Sequence, residues 1–234
     1  IAGEAIQPLC LSTDDHREAL RAHPGHAGML AALADALLAT GAQDEALRTL
    51  QQLERSQPRD QRATLRLAFI DYEARRFPEA ARRFEQLLVA NPEQHEVAFF
   101  LGLVRRRTGD AAAALEAFAR VPEGHERWLE SRVQMAGIFE KQRDFPRASA
   151  EIEAARAKHP GRQIDLFLAS LRGHSGDVDG AVAFLQELLA QSPDDDELLY
   201  QIGVVYGEAK RRDESLQFMQ RALEKNSANA NALN

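Results

Sequence analysis

The sequence predicts an all-α fold built from repeated helical hairpins, and three observations predict it. The first is composition. Of 234 residues, 44% are hydrophobic and 28% charged, with only 14 Gly, 9 Pro and 6% aromatics. Ala and Leu are abundant, and with Glu, Gln and Arg they lose little freedom on entering a helix. A sandwich or barrel would call for more β-branched residues and more glycine turns. The second is a period. Pro24, Pro58 and Pro92 lie 34 residues apart, Pro160 sits two periods further on, and Pro193 follows 33 later. The run "VPEGHERW" stands where the missing proline is due, near Glu126. The third is a set of columns in the same register. Small residues recur at Ala34, Ala68, Gly102, Ala136, Ala169 and Gly203, each behind a large apolar residue (Leu33, Leu67, Leu101, Met135, Leu168, Ile202). Twelve residues after each comes another small one: Ala46, Ala80, Ala114, Ala148, Ala181 and Ser215. Four further on stand Leu50, Phe84, Phe118, Ile152, Leu185 and Met219.

Each period therefore reads as a helix A and a helix B. Residues 10–23, "CLSTDDHREALRAH", read as the remnant of a preceding helix B. Helices A are expected at 27–39, 60–74, 93–107, 127–141, 162–173 and 194–209, and helices B at 43–56, 78–90, 111–120, 145–158, 177–191 and 212–225. The domain organisation is then an N-terminal segment 1–26, six repeats (27–60, 61–94, 95–128, 129–161, 162–195, 196–229) and the start of a truncated seventh at 230–234. Apolar edges at both ends would be covered by further chain. The small column lets the helices of a hairpin approach closely, and the Leu/Phe column fills the space between hairpins. A helix of about 14 residues is marginal in water on its own, so stacking supplies the stability. In "ARRFPEAARRFEQLLVANPE" (74–93), Pro78 does not break a helix. It opens one, at a first-turn position whose N–H has no helical partner anyway; Pro146 behind Phe145 repeats the device. Ala80, Phe84 and Leu87 form the buried stripe there, so Leu87→Asp is expected to lose the fold. Arg82, Arg83 and Glu85 are expected on the solvated side. Helix B of the third repeat is cut short by Pro122 and Gly124, and a local kink is expected.

These columns resemble the tetratricopeptide repeat (TPR) family over roughly residues 27–229. "FLGLVRRRTGDAAAALEAF" (100–118) and "YQIGVVYGEAKRRDESLQFMQRALEKNSANA" (200–230) carry it most fully. The family's early Trp is replaced by Leu30, Thr64, Ala98, Arg132, Asp165 and Leu199, and its Tyr survives only as Phe139 and Tyr206. The resemblance implies an all-α, right-handed superhelical TPR solenoid of about six hairpins with partial flanking helices. The Ala- and Arg-rich composition and "RVPEGHERW" are similar to bacterial multi-TPR adaptors, some of them envelope lipoproteins serving proteases or assembly machines. That implies a periplasmic or outer-membrane-associated setting rather than the cytoplasm.

Chemistry is sparse. The net charge of −7 and pI near 5.6 disfavour nucleic acid, which asks for a basic surface. One cysteine, Cys10, excludes an intrachain disulfide. No apolar run approaches the roughly 20 residues that span a bilayer, so this chain is not expected to insert in a membrane. His23 and His26 flank Pro24–Gly25 without the further ligands a metal needs. "DVDG" at 177–180 lacks the terminal acid of a calcium loop, and Asp177 and Asp179 read as helix caps. The acids of "DDDE" at 194–197 suit the start of a helix, and Arg105, Arg106 and Arg107 suit the end of one. No nucleophile–base set and no phosphate loop is present. The expectation is no enzyme, no cofactor and no metal.

The resemblance places function on helices A, which line the concave face of such arrays. Positions three and four apart, away from the small column, give Arg62, Leu65, Phe69 and Tyr72 in repeat two, and Glu96, Phe99, Leu103 and Arg106 in repeat three. Repeat four gives Glu130, Val133 and Glu140, repeat five Leu166, and repeat six Tyr200 and Val204. Aromatics and Arg carry much interface energy. The groove lacks the Lys/Asn carboxylate clamp and the Asn ladder of specialised TPR domains. It fits a peptide or protein partner, and Phe99→Glu is expected to abolish binding with helicity retained. The alternatives are self-association through the solenoid ends, or a regulatory arm of an enzyme encoded outside this chain.

Overall fold

The computed structural model describes residues 12–57 and 61–226. These residues hold helices and no strand, in the order α1 (Thr13–Ala22), α2 (Ala27–Ala39), α3 (Gln43–Ser56), α4 (Gln61–Glu73), α5 (Phe77–Ala90), α6 (His95–Arg107) and α7 (Ala111–Ala119), then α8 (Trp128–Lys141), α9 (Phe145–Lys158), α10 (Arg162–Ser175), α11 (Val178–Gln191), α12 (Asp196–Glu208) and α13 (Arg212–Lys225). Every helix A and helix B lies within two residues of its expected span at either end. Cys10, Pro58 and the "SANANALN" tail lie outside the described residues.

The chain divides into two compact units, Ile1–Arg120 and Val121–Asn234. The division falls just after α7, which is cut short at nine residues. In each unit, consecutive helices pack antiparallel as hairpins, and hairpins stack on their neighbours.

The periodic columns are the core. All six small residues of the first column are buried, as are those of the second. Leu50, Phe84, Phe118, Ile152 and Leu185 are fully buried or nearly so, whereas Met219 is only half-buried. Gly102 shows why the first column must be small. A Cβ there would lie 2.6 Å from Cε1 of Phe118, a ring with no exposed surface and no room to move.

The helix ends follow from local chemistry. Asp110, Asp144, Asp177 and Asp195 cap α7, α9, α11 and α12 by accepting from the amides of Ala113, Arg147, Gly180 and Leu198. Asp177 thus caps as expected, while Asp179 pairs instead with Arg211 at 2.7 Å. Pro78 and Pro146 sit in the first turns of α5 and α9. Every turn between helix A and helix B passes through one left-handed residue: Gly41, Arg75, Gly109, Arg143, Gly176 and Lys210. Each stands seven residues after the small residue of its own repeat. Half are glycine, the residue without a Cβ penalty; the others bear an uncommon conformation for an L side chain.

One expectation on α5 needs correction. Arg82 is exposed as foreseen, but the Arg83 side chain is only 11% exposed and Glu85 is half-buried. Arg83 donates from Nη1 to Oδ2 of Asp71, itself buried, and from Nε to Glu54 at 3.4 Å; Arg76 Nε donates to Asp71 Oδ1 at 2.8 Å. Glu85 pairs with Arg105. The cause lies in the column of the family's Tyr, which reads Leu37, Asp71, Arg105, Phe139, Arg172 and Tyr206. In unit 2, Phe139 and Tyr206 carry Arg147 and Arg211 over their rings, each at 4.6 Å, and Arg172 lies over the Phe184 ring at 4.8 Å. In unit 1, Asp71 and Arg105 put charge there, and helix B supplies the counter-charge.

Candidate partner-binding site

The sequence places function on helices A, and the two units answer separately. In unit 1, α4 presents Arg62 exposed and Leu65, Phe69 and Tyr72 half-buried. On α6, Glu96 is exposed, and Leu103 and Arg106 are half-buried. Phe99 departs from expectation. Its side chain is 1% exposed, and its ring lies 5.8 Å from Phe118 and 5.6 Å from Phe100. It is a core ring, not a groove ring. Leu65 holds the equivalent position one repeat earlier and stays half-buried; Phe99 is drawn inward because its larger ring meets Phe118.

The residue that takes its place in the surface layer is Phe100, which the spacing argument passed over. It is half-buried and meets the rings of Phe69, Tyr72, Phe84 and Phe99. Phe69 meets it edge-on at 4.7 Å and Tyr72 at 5.6 Å, and Phe84 stacks at 6.2 Å. Edge-to-face pairs of this kind add about 0.5–1.5 kcal/mol beyond area burial. Phe69 and Tyr72 therefore serve the packing of α4 on α6 and also keep part of each ring at the surface. Two adjacent phenylalanines on one helix were the available clue, since they cannot both face the same way.

In unit 2, Glu130 is exposed and pairs with Arg127 at 3.3 Å. Val133, Leu166, Tyr200 and Val204 are half-buried apolar groups on α8, α10 and α12. Glu140 does not stand alone. Its Oε1 lies 2.7 Å from Nδ1 of His174, whose Nε2 lies 3.4 Å from Glu208. A carboxylate–imidazole–carboxylate ladder thus crosses three successive helices A. His174 is one repeat along from Glu140, and only the three-dimensional stacking brings the two together.

Unit 2 also carries a fork. Arg162 donates Nη2 to Asp195 Oδ1 at 2.7 Å and Nε to Glu197 at 2.8 Å. The guanidinium hydrogen bond holds the Asp195 carboxyl below the usual carboxylate range, with the Leu198 amide adding to it. A lowered folded-state pKa means stability present above the unfolded value and lost as pH falls through the folded one. Unit 2 is therefore expected to lose this contribution as pH drops below about 4. Asp195→Asn, which still caps α12, should flatten that part of the acid-unfolding curve followed by the fluorescence of Trp128, the chain's single tryptophan.

Among the described residues, no group of three His, Cys, Asp or Glu side chains is arranged to hold a metal ion, and no helix is long and apolar enough to cross a membrane.

Family models described as "Tetratricopeptide repeat" match residues 65–125 and 134–196 with one model, and 15–69 and 174–234 with a second. The chain belongs to the tetratricopeptide repeat family. Solved TPR-like structures resemble it at the level of fold. The crystal structure of MamA protein is 19% identical with a TM-score of 0.60, over 73% of this chain and 93% of MamA. A tetratricopeptide repeat protein from Parabacteroides merdae is 16% identical with a TM-score of 0.57, over 95% of this chain and 91% of its own. YrrB, titled a TPR protein with an unusual peptide-binding site, is 18% identical with a TM-score of 0.50, over 95% and 97%. Comparison with curated protein sequences gives no significant match.

Proposed function

We propose that this TPR chain is a non-catalytic interaction scaffold that binds a peptide or protein along its helix-A faces. The observation that carries the reading is the α4–α6 face of unit 1. There Phe69 and Tyr72 on α4 are held half-exposed by Phe100, and Leu103 and Arg106 on α6 are half-exposed too. Such a face is pre-organised, so little side-chain freedom is lost on binding, and partly exposed rings beside Arg are the composition of interaction hot spots. The bacterial-envelope setting implied by the sequence resemblance is part of this proposal and is tested by cell fractionation.

The test uses the whole chain as bait against lysate, with a Leu103→Glu/Arg106→Glu variant in parallel. Both side chains are only half-buried and neither belongs to the buried core, so the helical circular dichroism should be retained. A partner held through this face should be lost by roughly tenfold or more in the variant. Equal capture by both baits would remove unit 1's helix-A face from the proposal.

A further inference from the structure

Unit 1 contains a cavity of about 330 Å³ away from the aromatic face, where the ends of α2 and α4 meet the start of α3. Its apolar wall is Leu38, Leu47 and Ile70, and its rim carries Gln43, Asp44, Glu73 and Arg76. The three apolar side chains are half-buried and the four rim residues exposed.

The charges at this rim do not balance. Arg76 is engaged by Asp71 at 2.8 Å. Glu45, next to Asp44 on α3, is engaged by Arg17 at 2.7 Å. Asp44 and Glu73 have no ion-pair partner among the described residues, and Arg48, one turn on from Asp44, does not reach it. The cavity therefore offers an apolar wall beneath two uncompensated carboxylates. The complementary group has a hydrocarbon stem and a terminal cation. Lysine and arginine are the side chains of that form, burying the stem on apolar surface while the head stays at the rim.

We infer that this cavity receives a lysine or arginine side chain of the bound partner, its stem against Leu38, Leu47 and Ile70 and its charge beside Asp44 and Glu73. The inference rests on the scaffold reading and specifies a basic residue in the partner, lying outside the aromatic face.

The test titrates the labelled chain with n-butylammonium and N-butylguanidinium, and with butyrate as the anionic control, following amide nitrogen–proton chemical shifts. The cations should give saturable shifts at the amides of α3's first turn and α4's last turn, and butyrate should not. An Asp44→Asn/Glu73→Gln variant should bind the cations at least about twofold more weakly, since two exposed ion pairs are lost together, with the helical circular dichroism unchanged. Butyrate binding as well as the cations, no saturable cation shifts, or unaltered cation binding by the variant would each overturn the inference. The two readings separate cleanly. Cation shifts at these amides with no partner dependent on the helix-A face would remove that face from the scaffold reading and leave the cation pocket standing. A face-dependent partner with no cation shifts would do the reverse.

Discussion

Phe99→Glu is expected to unfold unit 1, not merely to weaken binding. Phe99 is 1% exposed and packs on Phe118 and Phe100. Deleting a buried phenylalanine ring costs about 3–5 kcal/mol, and leaving an unpaired carboxylate in its place adds several more unless the group takes up a proton. The sum is comparable with the 5–15 kcal/mol that holds a typical domain together. Far-UV circular dichroism should lose a large part of its helical signal, and amide exchange across α4 to α7 should become fast. In this respect Phe99 joins Leu87, also 1% exposed, whose replacement by Asp is expected to have the same result. A Phe99→Glu chain with native helicity and an unshifted urea midpoint would return Phe99 to the surface and reopen it as a contact residue.

Phe99 also marks where reading from the sequence runs out. The columns headed by Ala34, Ala46 and Leu50 repeat at a fixed period, so each hairpin restates the last and chance agreement is averaged away. Their burial follows directly, and so do the helix spans. The helix-A surface has no such redundancy. Leu65 and Phe99 occupy one column, yet one stays at the surface and the other goes inward, because their neighbours differ: Phe118 beside Phe99, and Phe100 taking the place at the surface. Periodicity says which face a position is on, but side-chain volume decides how deep it sits. Charge partners were harder still to foresee. Glu140, His174 and Glu208 are about one repeat apart, and Asp71 meets Arg83 from the opposite helix of its own hairpin. Those pairings depend on stacking geometry that single-repeat patterns do not contain. The exchange of the family's Tyr for Asp71 and Arg105 was visible in the sequence, however, and buried charge in a core column demands a nearby counter-charge. That argument alone would have pulled Arg83 out of the solvated set.

The same logic makes Asp71→Ala the second large effect. The Asp71 side chain is 5% exposed and Arg83 is 11% exposed. Arg76 is 43% exposed, so on losing Asp71 it can turn to water. Arg83 cannot: it would remain enclosed with Glu54 alone, at 3.4–3.5 Å. Removing one partner of a buried pair commonly costs 3–5 kcal/mol because it strands the other charge. The Glu54 contact moderates this, and a loss of about 3 kcal/mol is expected, read as a lower urea midpoint and faster amide exchange in α4 and α5. Replacing both charges separates the cost of stranding Arg83 from the net value of the pair. Asp71→Leu/Arg83→Met fills the same space with apolar groups and should recover most of the loss, since hydrophobic replacements of buried pairs are often neutral or better. If the double variant is as unstable as Asp71→Ala, the pair is worth its full charge–charge interaction, and the polar filling of this column in unit 1 is a source of stability. If it recovers, the charges at Asp71 and Arg83 are tolerated by the fold and not required by it, and an aromatic at 71, as Phe139 and Tyr206 supply in unit 2, would serve the hairpin equally well.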